Sequence, residues 1–193
     1  SDAVSDAVSD AVSDAVSDAV SDGLHYAWVD APGGGAGCSD CTPLASDVVI
    51  NEVLYDRVGT DEGTFVELVG PPGTSVDGWT LEGVNGTNGG VYQTTDLAGE
   101  IPATETSYLL LSDLDHQNGP DSLRLRDAAG VVLDAVGYES FVGAVFAGQG
   151  SPCVHPEANS GASIARSPDG QDTQDNAVDF VSSPVPTPGA ANP

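Results

Sequence analysis

Positive charge is almost absent from this sequence of 193 residues. It holds four Lys and Arg residues, all of them Arg, against 30 Asp and Glu residues, for a formal net charge of -26. Nucleic acids and anionic membranes attract proteins through Lys and Arg, so this balance argues against both as partners. The absence of Lys also excludes lysyl isopeptide cross-links within the chain and catalysis by a lysine side chain.

Long apolar runs and catalytic motifs are missing as well. No run approaches the roughly 20 apolar residues that span a bilayer, so we expect no membrane insertion. No secretory leader is recognisable. The histidines are His25, His116 and His155, and each lies in a loop-like or linker context. Without a Ser-centred elbow, a Gly-rich phosphate loop or an HExxH motif, the sequence predicts no enzyme and no required cofactor.

The sequence does contain a series of short strand patterns. These segments are rich in Val, Leu, Tyr and Thr, several alternate apolar with polar residues, and clusters of Gly, Pro, Asn and Asp separate them. Seven or more strands at this spacing predict an all-β sandwich. A strap with four prolines follows at 183–193. The predicted strands cover residues 48–55, 64–70, 78–84, 90–95, 107–112, 121–127 and 130–138.

Several motifs of this region occur in a recognisable order. VVINEVLYD, DEGTFVELVG and GTSVDGWTLEG come first, followed by SYLLLSD, NGPDSLRLRDAAGVVLDAVGY, SIARSPDGQDTQDNAVDF and PTPGAAN. The series resembles the lamin tail domain, in its bacterial secreted branch, over about residues 48–192. The resemblance implies an immunoglobulin-like β-sandwich that serves as a non-catalytic accessory or binding module. It also implies an extracellular or bacterial cell-surface location.

Two glutamates fall inside the apolar strand patterns. A buried carboxylate is costly unless it is paired, so Glu52 and Glu67 need partners. With four arginines in the chain, Arg166 or Arg57 is the natural partner. We expect a buried structural ion pair here rather than a catalytic carboxylate pair. Trp79 is expected to anchor the core of the sandwich rather than to form a sugar-binding platform.

The three cysteines allow two interpretations. Cys38-x-x-Cys41 and Cys153-x-His155 together supply three sulfurs and one imidazole, which is a complete tetrahedral zinc set. Alternatively, Cys38 or Cys41 forms a disulfide with Cys153, which staples the linker to the sandwich and leaves one thiol over. An extracellular context favours the disulfide. The odd cysteine can also bridge two chains, so both interpretations stay open here.

A second group of candidate metal ligands lies near the end of the chain. Asp169, Asp172, Asp175 and Asp179, with Asn176, crowd oxygen atoms into the segment SPDGQDTQDNAVDF. Hard cations prefer oxygen ligands, which makes calcium a candidate ligand of this loop. The spacing is not that of an EF-hand. Asp and Asn also cap turns through their own backbone, and this alternative requires no metal.

The chain begins with the tetrapeptide SDAV repeated five times without substitution. A helix would align its Asp residues in a like-charged row, which is unfavourable. Low hydrophobicity and unopposed charge are typical of a disordered spacer. Identical copies also suit assembly, because every register along the repeat presents the same surface. The residues that we assign to assembly are Asp2, Ala3, Val4, Val8, Val12, Val16, Val20, Leu24, Tyr26 and Trp28.

These patterns divide the chain into the SDAV repeat at 1–22, a linker with a short strand and the Cys-x-x-Cys at 23–47, and a lamin-tail-like sandwich at 48–193. We expect a secreted, non-catalytic structural protein that self-assembles into an extracellular fibre or stalk through its repeat. The sandwich would be displayed on that fibre, and copies of the chain would be its main partner. The alternative is a monomeric, calcium-dependent or adhesive module for an extracellular ligand, carried on a flexible acidic tether.

Overall fold

A computed structural model describes residues 47–103 and 107–193. The predicted repeat at 1–22 and all but the last residue of the predicted linker at 23–47 lie outside these described residues. The same is true of every residue assigned above to assembly. The structural statements that follow concern the described ranges alone.

Two antiparallel sheets make up the described chain, which is a β-sandwich. A five-stranded sheet has the order β5-β2-β1-β8-β9, and a four-stranded sheet has the order β4-β3-β6-β7. A single four-residue helix, α1 (Asn176–Asp179), directly precedes the last strand in this part of the chain. The strands are β1 Val49–Leu54, β2 Phe65–Val69, β3 Thr80–Asn85, β4 Val91–Asp96, β5 Tyr108–Ser112, β6 Asp121–Arg126, β7 Val132–Tyr138, β8 Ser163–Arg166 and β9 Phe180–Ser183.

The core between the sheets follows from the alternation of the strand sequences. In β6, Leu123 and Leu125 are fully buried, whereas Arg124 and Arg126 are partly exposed on the opposite face. This is the pattern of a strand with one face against a core. Trp79 is 4% exposed and belongs to the main hydrophobic cluster, which confirms its prediction as a core anchor.

All seven predicted strands are present, with ends that differ by a few residues. The hairpin predicted at Asp127–Gly130 is confirmed by backbone hydrogen bonds from Gly130 N to Asp127 O and from Asp127 N to Val131 O. Strands β8 and β9 were not predicted. They pair with each other and complete the five-stranded sheet beside β1.

The segment after β9 crosses the face of the five-stranded sheet that is turned away from the core. We call residues 184–193 the C-terminal strap. Its backbone N–H groups at Thr187 and Gly189 reach carboxylates on β1 and β2, and the Asn192 side chain donates to Asn51 O. The strap therefore covers side chains that would otherwise point into solvent.

Candidate functional site

An open depression of about 420 Å³ lies beyond the end of β7. Apolar side chains form part of its lining, and Val142 is 93% exposed. Glu139 follows β7 directly with φ of +69°. A side chain other than Gly is strained in this left-handed region, and such strain concentrates at functional sites. The lining residues are Glu139, Ser140, Phe141, Val142, Pro152, Cys153 and His155.

The Glu139 carboxylate contacts both the Tyr55 hydroxyl and the His155 imidazole. Tyr55 donates its hydroxyl to Glu139 Oε1 at 2.8 Å, and His155 Nδ1 lies 3.2 Å from Glu139 Oε2. The Tyr55 ring stacks on Tyr138 with 4.2 Å between ring centroids, which holds the phenol in place. His155 Nδ1 also lies 3.1 Å from Pro156 O. Both contacts are made by Nδ1, and they fix the orientation of the imidazole ring.

Burial favours the protonated forms of Tyr55 and Cys153 beside this depression. Desolvation raises the pKa of Tyr55 far above its ordinary value, and the hydrogen bond to Glu139 adds to the effect. Desolvation also raises the pKa of the Cys153 thiol to about 12. The thiol is therefore protonated at neutral pH, and its Sγ donates to Gly137 O at 3.2 Å. In this protonated state the thiol is a hydrogen-bond donor rather than a nucleophile.

The sequence-predicted zinc ligands are brought together only in part. Cys153 and His155 line the same depression, while Cys38 and Cys41 lie outside the described residues. The choice between a zinc site and a disulfide therefore stays open. The sequence missed Glu139, because nothing in the run Tyr-Glu-Ser indicates a left-handed backbone or a contact with a residue 84 positions earlier.

The predicted calcium ligands each bind different hydrogen-bond donors. Asp169 accepts hydrogen bonds from the Asn51 side chain at 3.0 Å, from the Tyr108 hydroxyl at 2.6 Å and from Asn192 N at 2.9 Å. Its carboxylate thereby connects β1, β5 and the C-terminal strap. This arrangement uses Asp169 as a structural acceptor.

The next two aspartates organise turns. Asp172 accepts from the backbone and the side chain of Gln174. Asp175 is the N-cap of α1, where its Oδ1 accepts from Ala177 N at 3.1 Å and from Ser151 N at 2.9 Å. Within 47–103 and 107–193, no three or more His, Cys, Asp or Glu side chains form a group arranged to hold a metal ion. Calcium binding by this loop stays a prediction.

Asn176 closes the outer edge of β7. Its side chain is fully buried, donates through Nδ2 to Ala135 O at 2.9 Å and accepts through Oδ1 from Gly137 N at 3.2 Å. Oδ1 also accepts from Gln149 N at 3.1 Å. The amide thus makes the two hydrogen bonds that a neighbouring strand would make. Together with the Cys153 thiol on Gly137 O, it satisfies this part of the β7 edge.

Arg166 is the buried ionic centre of the sandwich. Its side chain is 0% exposed, and its terminal nitrogens lie 2.9 Å from Asp134 Oδ2 and 3.0 Å from Asp179 Oδ2. Its Nε donates to Ile50 O at 2.7 Å, and the guanidinium lies 4.5 Å above the centre of the Phe180 ring. Because Asp134 is on β7 and Arg166 on β8, the pair links the two sheets.

The prediction that Arg166 or Arg57 neutralises Glu52 and Glu67 is therefore wrong. Arg166 turns toward the core and binds aspartates, while Arg57 is exposed and donates to Gly63 O at 3.3 Å. The physical reason is strand alternation. Ala165 is the residue that pairs with Glu52, so the next side chain on β8 points to the opposite face.

The two glutamates are instead satisfied by uncharged donors. Glu52 accepts a hydrogen bond from the Ser163 hydroxyl. Its Oε1 and Oε2 atoms also accept from Thr187 N, at 3.1 and 3.0 Å. Glu67 accepts from the Asn51 side chain at 3.0 Å and from Gly189 N at 2.6 Å. Burial raises the pKa of Glu67 despite these bonds. Both carboxylates are 0% exposed and hold the C-terminal strap in place.

No family model, curated protein or solved structure matches this chain. Membership of the lamin tail family therefore stays a prediction from the sequence motifs. None of the helices in the described ranges combines the length and the apolar character needed to cross a membrane.

Proposed function

We propose that this chain is a secreted, non-catalytic structural protein that assembles through its N-terminal repeat and displays a sandwich of the immunoglobulin-like, lamin tail type. Copies of the chain are its main partner, and an extracellular fibre or stalk is the assembled form. No metal or cofactor is required for this role. The repeat supplies the shaft, and the sandwich decorates it.

The main support for this proposal is that the buried charged residues of the sandwich form structural hydrogen bonds and ion pairs. The carboxylates that a catalytic interpretation would employ, Glu52 and Glu67, accept hydrogen bonds from the strap. Arg166, Asp134 and Asp179 hold the two sheets together. Buried polar groups that are satisfied in this way stabilise one conformation, and these five side chains are engaged in holding the sandwich and its strap together. We therefore expect the sandwich to be rigid.

The repeat supplies the second argument. Its five identical tetrapeptides present the same Ser, Asp, Ala and Val pattern in every register, which permits staggered association of many copies. A charge of -26 keeps isolated copies apart at low ionic strength. Salt screens exposed charges over about 10 Å at 0.1 M, so assembly is expected to strengthen with ionic strength.

Two variants of the full chain test assembly. One lacks residues 1–22, and the other replaces Val4, Val8, Val12, Val16 and Val20 with Ser, which preserves length and charge. Sedimentation velocity and electron microscopy should show fibres or large oligomers for the unmodified chain and no species larger than a dimer for both variants. A chain that is monomeric with and without its repeat contradicts the proposal.

The open depression favours a second candidate function, a monomeric binding module on an acidic tether. The strained Glu139, the oriented His155 and the exposed Val142 are features of a surface that contacts another molecule. In its calcium-dependent form, this candidate predicts that Ca²⁺ alone raises the melting temperature of the full chain. Replacing Asp172 with Asn should abolish that rise. An unchanged melting temperature in Ca²⁺ counts against calcium dependence.

A further inference from the structure

The four edges of the two sheets are protected to very different degrees. The β7 edge is closed by Asn176 and the Cys153 thiol. A register shift beside β4 interrupts its pairing with β3, and β4 ends at Asp96. Strand β9 has four residues and is followed by Pro184. Bulges, charges, prolines and short length are devices that discourage strand addition.

Strand β5 carries none of these devices. Its sequence, Tyr-Leu-Leu-Leu-Ser, has no charge and no proline, and its register with β2 is unbroken over all five residues. Leu110 is 40% exposed. Among the described residues, β2 is the one strand that pairs with β5, so the opposite side of β5 is a sheet edge. An edge that is uncharged, regular and apolar is a template for another strand.

The direction of the backbone groups on β5 follows from its register. Asp113 N donates to Thr64 O, so these two residues form a hydrogen-bonded pair just beyond the strand. Such pairs alternate along an antiparallel ladder, which assigns Leu109 and Leu111 to bonds with β2. The N–H and C=O groups of Tyr108, Leu110 and Ser112 therefore point away from β2, toward the open side.

We propose that the β5 edge pairs with the β5 edge of a second copy of this chain, about a two-fold axis at Leu110. In this antiparallel arrangement Leu110 lies opposite Leu110 of the second copy, and Tyr108 lies opposite Ser112. All outward N–H groups of both strands then donate to outward carbonyls. The two five-stranded sheets become one continuous sheet.

Side chains support this register. Leu109 lies opposite Leu111 of the second copy, and both residues are half-buried against the core of their own sandwich. The pairing completes their burial, because each then meets a leucine across the new ladder. Directly opposed apolar pairs are the units that stabilise a sheet. Every side chain pair in the strand is either apolar or Tyr with Ser.

Charge identifies a copy of the same chain as the occupant. A cationic partner would find no carboxylate on the strand itself, and an anionic strand would be repelled by a chain of charge -26. A second copy presents the same uncharged strand, so no like charges face each other across the new ladder, and the repulsion between the two acidic chains acts over longer distances that salt screens. Asp113, the first acidic residue after β5, would lie opposite Ser107 of the second copy and not opposite another carboxylate.

Cross-linking of the full chain tests the axis directly. At a hydrogen-bonded antiparallel pair the Cα atoms lie about 5.5 Å apart, which matches the span of a disulfide. Leu110→Cys should therefore yield an oxidised dimer in which peptide mapping finds the two introduced thiols joined. The matched control is Ser182→Cys, on the opposite edge of the same sheet. A yield no higher than that of the control overturns the proposal.

A proline scan provides the second readout. Leu110→Pro removes one outward N–H and leaves the bonds to β2 intact, and Ser182→Pro does the same on β9. We expect Leu110→Pro to weaken dimerisation about tenfold to a hundredfold in sedimentation, because two copies each lose a donor, and Ser182→Pro to leave it unchanged. Equal effects of the two variants contradict the proposal.

This inference is independent of assembly through the repeat. If the repeat variants disperse the fibres while the thiols introduced at Leu110 still join, both proposals hold. If fibres form but those thiols do not join, the proposed function stands and the β5 pairing fails. If the thiols join in a chain that forms no fibre, the pairing stands and the proposed fibre fails.

Discussion

Replacing Arg166 with Met tests whether one guanidinium fastens the two sheets. The side chain is 0% exposed and faces Asp134 and Asp179 at 2.9 and 3.0 Å. Methionine is similarly long but carries no charge, so two buried carboxylates would lose their cation. Removing one partner of a buried ion pair costs about 3–5 kcal/mol. We expect Arg166→Met to lower the free energy of unfolding by this amount in urea denaturation.

The control for this variant is Arg126→Met. Arg126 binds Glu82 at 2.8 Å with side chains that are 24% and 16% exposed, and Arg124 also binds this carboxylate at 2.8 Å. An accessible pair of this kind contributes about 0–1 kcal/mol. If both variants lose the same free energy of unfolding, the inference that Arg166 fastens the sheets is refuted.

The pH dependence of the Arg166→Met variant provides a second check. Burial already raises the pKa of Asp134, and Arg166 opposes that rise. Without the guanidinium the pKa should rise further, so the folded variant holds the proton more tightly than the unfolded chain does. When the pKa of a carboxyl group is raised in the folded state, the protein loses stability as the pH rises through that pKa. The deficit of the variant should therefore be largest at neutral pH and shrink in acid.

Four further predictions concern single positions. Asn176→Ala leaves the β7 backbone unpaired and should cost about 2–4 kcal/mol in chemical denaturation. Burial lowers the pKa of His116 from 6.5 to about 4, so the protein should lose about 3 kcal/mol as the pH falls through this window, and His116→Leu should lose less. Burial raises the pKa of Glu67, so stability should fall as the pH rises through it, and Glu67→Gln should remove that dependence in thermal melts. Because Cys153 Sγ is buried and donates to Gly137 O, mass spectrometry without reductant should find Cys153 as a free thiol; a disulfide at Cys153 would overturn this expectation.

Strand alternation explains how much of the fold was predictable. Seven strands are five or more residues long, contain apolar residues such as Val, Leu or Tyr, and are separated by turns that contain Gly or Asn, so local patterns suffice. Strands β8 and β9 have four residues each. Arg166 ends the first, and Pro184 follows the second. Their strand conformation depends on pairing with β1 and with each other, which no local pattern reveals.

The partners of the charged side chains were less predictable. The predicted ion pair of Glu52 or Glu67 with an arginine is wrong, because the acidic partners of Arg166 are Asp134 and Asp179. The sequence does not show on which face of β8 the Arg166 side chain lies, because that face depends on the register between β8 and β1. It also could not show that uncharged donors of the strap satisfy Glu52 and Glu67.

The Asn176 amide controls how many strands the sandwich can accept. With the β7 edge closed and the β5 edge open, strand addition can occur on one side and stops once two copies have paired. A molecule with two open edges has no such limit and can polymerise sheet by sheet. Asn176→Ala should therefore change the colloidal behaviour as well as the stability, from limited pairing to open-ended aggregation. The Asn176 amide thus helps to keep the β7 edge from becoming a second site of strand addition.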